Sequence, residues 1–150
     1  MEEADVENFG RLFAEFLRLH AARWAQRGEG GMLTGDLEDF HRRVASCMLE
    51  QGLLRLYALR LGGQSAAVFY GFATPDRWVY YLGGFAPDFE RYSPGTLVVG
   101  HAVEQAIEAG ARAFDFLRGG EPYKYAWGAV DERLYAHTVR RTVREVDRAA

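Results

Sequence analysis

A phenol and an ammonium stand side by side at Tyr123 and Lys124, shortly after two consecutive glycines. Lys124 is the only lysine among 18 basic residues, and the other 17 are arginines. A lysine ammonium is compact and titratable, whereas a guanidinium is planar and permanently charged. The lone lysine indicates a position where a plain positive charge is not sufficient, and the pair could donate a proton or hold a substrate.

A carboxylate precedes this pair in the short apolar run 113–117. The run predicts a buried, central strand in which Asp115 points to the face opposite the two flanking phenylalanines. A buried carboxylate must be paired or perturbed. Two interpretations stay open: an ion pair with Arg118 or Lys124, or a role as a catalytic base or substrate-orienting group.

A turn of small residues opens the segment in front of these groups. Ser93-Pro94-Gly95-Thr96 stands before an apolar periodic run that ends near Gly110, which predicts one helix of about fifteen residues. The first amides of a helix have no partner within it and can bind an anion, although an ordinary capped turn has the same sequence. Strands before and after this helix would form a parallel crossover.

The N-terminal third of the chain predicts two amphipathic helices. Residues Asp5–Gln26 carry apolar side chains at spacings of three and four, beginning with Val6. Glycines within 28–31 break the chain, and Asp36 caps a second helix that ends at Gly52. We expect the buried face of this helix to comprise Leu37, Phe40, Val44, Cys47 and Met48.

Three strands follow as an antiparallel meander. Leu53–Leu61 and Ser65–Ala73 flank a two-glycine turn, and a second turn leads to Trp78–Phe85. Two more glycines, Gly83 and Gly84, lie late in the third strand. They predict a β-bulge or a place where a ligand lies against the backbone.

Composition limits the classes of function. A chain of 150 residues that is 49% hydrophobic suits one domain with a sizeable core, and a net charge of -3 gives no basic field for nucleic acid. No apolar run reaches the roughly 20 residues that span a bilayer, so we expect a cytoplasmic protein. Cys47, the only cysteine, excludes an internal disulfide and is expected to be buried and inert. No cluster has metal-ligand spacing.

The order of these motifs resembles a known family. Ser93–Thr96 opening a helix, Phe114–Gly119 before Tyr123–Trp127, and the stretch Leu19–Trp24 are similar to the acetyltransferase domain associated with bacterial cellulose biosynthesis proteins, a branch of the GNAT superfamily. The resemblance covers nearly the whole chain. It implies an α/β GNAT fold, in which helices flank a mixed, mostly antiparallel sheet that has a parallel β-α-β crossover at the cofactor site.

The resemblance also implies a function. Such domains transfer an acetyl or other acyl group from acyl-CoA to an amine or hydroxyl, here of an unidentified small-molecule, saccharide or peptide acceptor. In this sequence Pro94 and Thr96 replace the first and last small residues of the family's pyrophosphate signature, and proline removes one amide donor. The residues that would bind the cofactor are Gly83, Gly84, Phe85, Arg91, Ser93, Gly95 and Thr96.

The family places its proton donor after the strand that follows the cofactor helix. The resemblance therefore makes Tyr123 the acid that protonates the departing thiolate, with Lys124 beside it and Asp115 as the base. The residues that would contact the acceptor are Arg23, Trp24, Arg118 and Trp127. For the aromatic Trp127, ordinary packing under a loop is the alternative.

The resemblance leaves both ends of the predicted sheet open. We identify no strand before the first helix, and Arg133–Thr142 is only a weak last strand before an arginine-rich end. A partner subunit could complete such a sheet, so a homo-oligomer is possible. Two other functions remain: a non-catalytic binding domain, and aminoacyl transfer of the Fem type, whose enzymes carry two such halves.

We predict that replacing Lys124 with arginine leaves folding and coenzyme binding intact but lowers acyl transfer by about two orders of magnitude, or roughly 3 kcal/mol of transition-state stabilisation. We expect Lys124 to anchor the acceptor or pair with Asp115 in a narrow pocket, which the wider guanidinium would not fit. Steady-state kinetics with a genuine acceptor measures the loss. Full activity of Lys124→Arg would return Lys124 to a purely structural role.

Overall fold

The computed structural model describes residues 1–26, 28 and 33–139. Two compact units are present, residues 1–119 and residues 120–150. In the first unit the strands are β1 Glu2–Glu3, β2 Leu54–Leu61, β3 Gln64–Ala73, β4 Arg77–Phe85 and β5 Ala113–Asp115. Its helices are α1 Phe9–Gln26, α2 Asp36–Glu50, a 3₁₀ helix Pro87–Tyr92 and α3 Pro94–Glu108. The second unit contains α4 Pro122–Ala126.

The five strands form one sheet in the order in which they occur in the chain. Strands β1 to β4 pair antiparallel with their neighbours, and β5 pairs parallel with β4 after the crossover through α3. The predicted meander and crossover are therefore confirmed. Gly62 and Gly63 both have positive φ, as the tight turn between β2 and β3 requires. Because β5 is an edge strand of the sheet described, its predicted central position is wrong.

Hydrophobic clusters cover both faces of the sheet. On one face, α1 and α2 pack on alternate residues of the strands, and the cluster includes Phe13, Phe16 and Tyr70. On the other face, α3 packs through Val98 and Ala102 against a second set of strand residues. This layered packing positions the C-terminal end of α1 and the start of α3 on opposite sides of the same strand, β4.

The first helix begins later than predicted, at Phe9. The Asp5 carboxylate accepts hydrogen bonds from the backbone N–H groups of Glu7 and Asn8, both at 2.8 Å, which forms a turn instead of a helical start. Val6 lies in this turn and is 83% exposed, so its predicted place on the buried face is wrong.

A first strand is present although the sequence analysis found none. Glu2 and Glu3 pair with Ala58 and Tyr57 of β2. The strand has only two residues, both charged, so it has no alternation to detect. Arg60 Nη2 holds Glu2 at 2.7 Å, and Arg11 also pairs with Glu2. Hydrogen bonds from these arginines hold the pKa of Glu2 below its usual range.

Of the predicted buried face of α2, Met48 packs against the core cluster, but three other members are exposed. Leu37 and Phe40 are 43% and 50% exposed, and Cys47 is exposed and accepts a hydrogen bond from Gln51. The face that reaches the core carries His41 and Ala45, one helical turn apart. The predicted face followed the residues Leu37, Phe40, Val44, Cys47 and Met48 and left out His41. The helix is capped by Gly35 and not by Asp36.

Two predicted segments fall partly outside the described residues. Residues 133–139 form no strand, and the remainder of the predicted Arg133–Thr142 strand and the arginine-rich end lie beyond the part described. The glycine break at 28–31 is described only at Gly28, which has positive φ.

We predict that Gly84→Ala destabilises the protein. A β-carbon at Gly84 would lie 2.4 Å from the carbonyl carbon of Leu19 and 2.5 Å from the backbone nitrogen of His20, so α1 must move away from β4. We expect the free energy of unfolding to fall by about 1–3 kcal/mol, as for other overpacked sites. Denaturant unfolding measures the change.

The matched control is Gly10→Ala, at the second position of α1, where a β-carbon meets no atom within 4 Å. This variant should be neutral or slightly stabilised. Equal unfolding free energies for the Gly84 variant and the wild type would show that α1 does not approach β4 this closely.

Candidate functional site

The sheet opens between β4 and β5. The two strands pair only from Arg77 with Ala113 to Val79 with Asp115, whereas β4 continues to Phe85. From Tyr80 onward, β4 therefore has no strand partner on this side in the part of the chain described. A strand edge with unpaired backbone groups can bind an extended ligand by hydrogen bonding.

A β-bulge begins this opening. Tyr70 pairs with Leu82 and Gly71 pairs with Tyr80, so Tyr81 is the extra residue on β4. The predicted bulge is thus present, but it lies before Gly83 and Gly84 and not at them. A β-carbon on Gly71 would lie 2.2 Å from the Val79 carbonyl oxygen, which explains the glycine opposite the bulge.

The pairing of β4 with β3 decides which backbone groups face the opening. Ala86 N–H donates to the Ala66 carbonyl oxygen at 2.8 Å, so Gly84, two residues earlier, also directs its backbone towards β3. Gly83 and Phe85 alternate with Gly84 and Ala86 along the strand, so they direct their N–H and C=O groups to the open side. Two amides predicted to contact the cofactor thus face the opening.

The two glycines of β4 have packing reasons of their own. Gly84 allows the close approach of the α1 backbone, and a side chain at Gly83 would lie 2.4 Å from the Tyr80 hydroxyl oxygen. These contacts account for both glycines without a ligand. Their predicted role beside the pantetheine chain therefore stays a prediction. Its support is the direction of the backbone N–H and C=O groups of β4.

Arg23 extends from α1 into the opening. Its guanidinium carbon lies 5.7 Å from the centre of the Phe85 ring, and it acts on the Tyr80 hydroxyl through charge and hydrogen bonding. Both rings pack on the α3 face of the sheet, whereas α1 packs on the other face. The side chain must therefore pass the unpaired side of β4. Burial raises the pKa of Tyr80, and Arg23 opposes this shift.

The start of α3 lies on the α3 side of the same opening. Pro94 is buried at the first helical position, and an ideal β-carbon on Gly95 would lie 3.8 Å from the Phe85 ring. Ser93 takes the left-handed conformation, with φ of 49°. The Thr96 N–H bonds the Ser93 carbonyl oxygen at 3.0 Å. Because proline has no N–H, Gly95 supplies the first amide of the helix.

Arg91 precedes this helix start on the 3₁₀ helix. Its guanidinium donates to the Tyr92 hydroxyl at 2.6 Å and stacks on the Tyr92 ring at 4.6 Å. A cavity of about 580 Å³ adjoins it and is lined by Leu61, Gly62, Gln64, Phe89, Tyr92 and Leu97. This cavity lies beside the β2–β3 turn, so it is distinct from the opening between β4 and β5.

Asp115 is engaged in a way that the sequence analysis did not foresee. Its Oδ2 accepts from Arg77 Nη1 at 2.8 Å, and its Oδ1 accepts from the Leu117 N–H at 2.7 Å. The side chain is 31% exposed, so the expected burial is wrong. The second bond supports the turn at Leu117, whose φ is 58°. Arg118 lies in this exposed turn.

The Tyr-Lys segment belongs to the second unit. Lys124 Nζ pairs with Glu121 Oε2 at 2.8 Å, and the lysine side chain is only 6% exposed. Tyr123 and Trp127 are 39% and 37% exposed. The Tyr125 hydroxyl donates to Asp131 at 2.9 Å, and this bond raises the pKa of Tyr125. Lys124 is thus buried and paired with Glu121, and its predicted catalytic role stays a prediction.

Three buried polar side chains were not predicted as a site, although His20 lies on the predicted stripe of the first helix. His20 on α1, His41 on α2 and Tyr70 on β3 are 2%, 5% and 0% exposed. His20 Nε2, His41 Nδ1 and the Tyr70 hydroxyl have no hydrogen-bond partner in the part of the chain described. An unsatisfied buried polar group costs about 1–3 kcal/mol. The signal in the sequence was two histidines at core positions of helices, which the apolar stripe concealed.

Two other properties concern the described residues alone. No group of three or more histidine, cysteine or acidic residues is arranged to hold a metal ion. None of the helices has both the length and the apolar character needed to cross a bilayer.

The comparisons agree with this architecture. The family described as "Acetyltransferase (GNAT) domain" matches residues 3–125. A predicted acetyltransferase from Clostridium acetobutylicum, solved with acetyl-CoA, is similar in structure, with a TM-score of 0.67 and 14% identity over 92% of this chain and 94% of that chain. AAC(6')-Iy in complex with a bisubstrate analogue has a TM-score of 0.65 and 12% identity, over 93% of this chain and 97% of that one. No curated protein matches the sequence significantly.

We predict that acidification destabilises the protein through the buried histidines. Burial lowers the pKa of both His20 and His41, so the unfolded chain binds more protons just below the ordinary histidine pKa of about 6.5. The free energy of unfolding should therefore fall as pH drops from about 7 to about 5, and should be insensitive to these groups above that window.

Urea unfolding at several pH values measures this slope. His41→Gln should flatten it, whereas His101→Gln, which removes a histidine outside the cluster, should not. A stability that rises on acidification, or an unchanged slope in the His41 variant, would contradict the assignment.

Proposed function

Because the chain belongs to the acetyltransferase (GNAT) domain family, we propose that it transfers an acetyl or other acyl group from acyl-CoA to an amine or hydroxyl acceptor. The observation that carries this proposal is the opening between β4 and β5, with the start of α3 on one side of it. An extended thiol arm and a pyrophosphate need such a pair of adjoining features: a free strand edge and unpaired helix amides.

In this proposal the β4 backbone holds the pantetheine arm. The N–H groups of Gly83 and Phe85 face the opening, so they can donate to the amide carbonyls of an extended chain or to the thioester oxygen. A donor aimed at the thioester oxygen stabilises the negative charge that develops there during acyl transfer. Gly84 keeps α1 against β4 at this point.

The pyrophosphate would bind at the start of α3. Gly95 supplies the first amide of this helix, with Ser93 in the turn and the Arg91 guanidinium on the preceding 3₁₀ helix. The Thr96 N–H already bonds the Ser93 carbonyl oxygen at 3.0 Å, so it would share that bond with the phosphate. Pro94 removes one donor, so this site holds fewer amides than the family signature provides. That loss favours the second candidate function, a domain that binds a ligand or partner without turnover.

For the catalytic residues we propose the roles that the sequence resemblance implies. We propose that Tyr123 protonates the departing thiolate, with Lys124 as the neighbouring cation. Asp115 already accepts two hydrogen bonds, which favours an orienting role over that of a base. The acceptor would contact Arg23, Trp24, Arg118 and Trp127.

We propose the chemical class of the acceptor and not its identity. Likeness to the cellulose-associated branch favours a saccharide or cell-envelope acceptor, and one similar structure is an aminoglycoside acetyltransferase in complex with sisomicin. Both suggest a polar small molecule that carries amines or hydroxyls.

We place the reaction in the cytoplasm, where acyl-CoA is formed. The open edge at β5 allows pairing with a second copy, so a homo-oligomer remains part of the proposal.

We predict that Gly95→Val weakens coenzyme A binding by tenfold or more, about 1.4 kcal/mol, because a branched side chain would stand between Phe85 and the incoming phosphate. The backbone at Gly95 does not require positive φ, so the variant should fold. Isothermal titration calorimetry gives both affinities. Gly10→Val, at the same position of α1, is the control.

Equal affinity in the Gly95 variant would place the phosphates elsewhere. Absence of binding to the wild type at millimolar coenzyme A would exclude acyl-CoA as the substrate.

A further inference from the structure

On one face of the sheet, three buried polar atoms have no hydrogen-bond partner in the part of the chain described: His20 Nε2, His41 Nδ1 and the Tyr70 hydroxyl oxygen. The Tyr70 ring lies 6.1 Å from His41 and 4.9 Å from Phe16, and Phe16 lies 5.6 Å from His20. The two imidazoles are close enough for His41 to lower the pKa of His20, after the larger effect of burial. Buried polar groups almost always have hydrogen-bond partners. Three such groups without a partner on one face of the sheet indicate that a hydrogen-bonding molecule belongs there.

The hydrogen bond on the other ring nitrogen fixes the tautomer of His20. Nδ1 lies 3.2 Å from the Gly83 carbonyl oxygen, which can only accept, so Nδ1 carries the proton. In the neutral ring Nε2 then has a free lone pair. The unpartnered atom is therefore an acceptor, and the group that it lacks is a hydrogen-bond donor.

This anchor also places His20 beside the opening. Gly83 directs its carbonyl group to the unpaired side of β4, the side on which the thioester is proposed to lie. The His20 backbone approaches Gly84, so the ring cannot withdraw from β4 without moving α1. Trp24, proposed to contact the acceptor, lies 5.9 Å from the imidazole.

We propose that His20 accepts the proton of the acyl acceptor's amine or hydroxyl, on the sheet face that also carries the buried His41 and Tyr70, an inference that rests on the proposed acyl transfer. The acceptor's N–H or O–H donates to Nε2. A carbon–nitrogen or carbon–oxygen bond forms at the acyl carbon, and the carbon–sulfur bond breaks. The proton moves to Nε2 and then to solvent, and the coenzyme thiolate takes a proton from an acid or water.

The surroundings suit a base that is neutral at working pH. Arg23 on α1 and His41 on α2 both disfavour a charge on His20. Two phenols pack around His41, with ring centres 6.1 Å away for Tyr70 on β3 and 5.4 Å away for Tyr81 on β4. The imidazole therefore stays unprotonated at neutral pH, and activity should fall only as pH drops below the ordinary histidine range.

Nuclear magnetic resonance of ¹⁵N-histidine tests the tautomer without any assay of activity. Assigned through the His20→Gln variant, the His20 ring should carry its proton on Nδ1 at pH 7. Addition of glycinamide, a small amine, to protein saturated with coenzyme A should shift the Nε2 signal. A proton on Nε2, or an Nε2 signal that glycinamide leaves unchanged, would overturn the proposal.

Kinetics tests the proton transfer itself. Protein-dependent thiol release from acetyl-CoA, with glycinamide as acceptor, should fall about 100-fold in His20→Gln, whose amide can still donate to Gly83 but cannot take up a proton. The coenzyme A Kd should stay within about twofold, and the acid limb of the pH–rate profile should disappear. His101→Gln is the control and should match the wild type.

The measurements distinguish a failure of the proposed His20 role from a failure of the proposed acyl transfer. Wild-type rate and pH profile in His20→Gln would overturn the role of His20 while leaving acyl transfer intact. No binding of coenzyme A by the wild type would overturn the proposed function, and with it the proton transfer. A folded His20 variant that loses coenzyme A affinity and rate together would show a structural role only.

Discussion

The backbone of α1 passes so close to β4 at Gly84 that no side chain fits between them. This single contact determines where the following residues of α1 lie. His20 reaches the Gly83 carbonyl, and Arg23, three residues later, reaches Tyr80 and Phe85 past the edge of the strand. The candidate site is therefore built on two rigid elements in van der Waals contact, which suits groups that must be held precisely.

A second constraint acts along β4 itself. The bulge at Tyr81 changes the direction in which the strand's backbone groups point, and pairing with β5 ends at Val79, before the bulge. The strand thus has partners on both sides at its start, and at its end one edge has no strand partner in the part of the chain described. Phe85 at that end lies next to Gly95 at the start of α3, so the free edge and the helix amides adjoin. The proposed coenzyme site depends on this junction.

The sequence predicted most of the fold because the relevant signals are local. Glycines in the β2–β3 turn, proline and glycine around α3, and the apolar strands all act over a few residues. It failed where long-range contacts decide. The β1 strand depends on ion pairs between Glu2, Arg11 and Arg60, and the partner of Asp115 is Arg77, 38 residues away in the chain.

For the candidate site, the roles assigned from the sequence stay predictions, and the structure gives the positions of the residues. Resemblance identified Gly83, Phe85 and Gly95, and the structure places the first two on the open edge and the third beside it. Periodicity alone could not reveal the buried histidines, because an imidazole at a helical core position gives the same spacing as an apolar residue. What distinguishes His20 and His41 from ordinary core residues is that each has a ring nitrogen without a hydrogen-bond partner among the described residues.

A crystal structure with bound coenzyme A tests the central claim most directly. The account predicts that the pantetheine arm lies between β4 and β5, hydrogen-bonded to the backbone of Gly83 and Phe85, with the pyrophosphate at the Gly95 amide. Pantetheine bound instead in the cavity beside the β2–β3 turn, with the opening between β4 and β5 empty, would contradict this prediction.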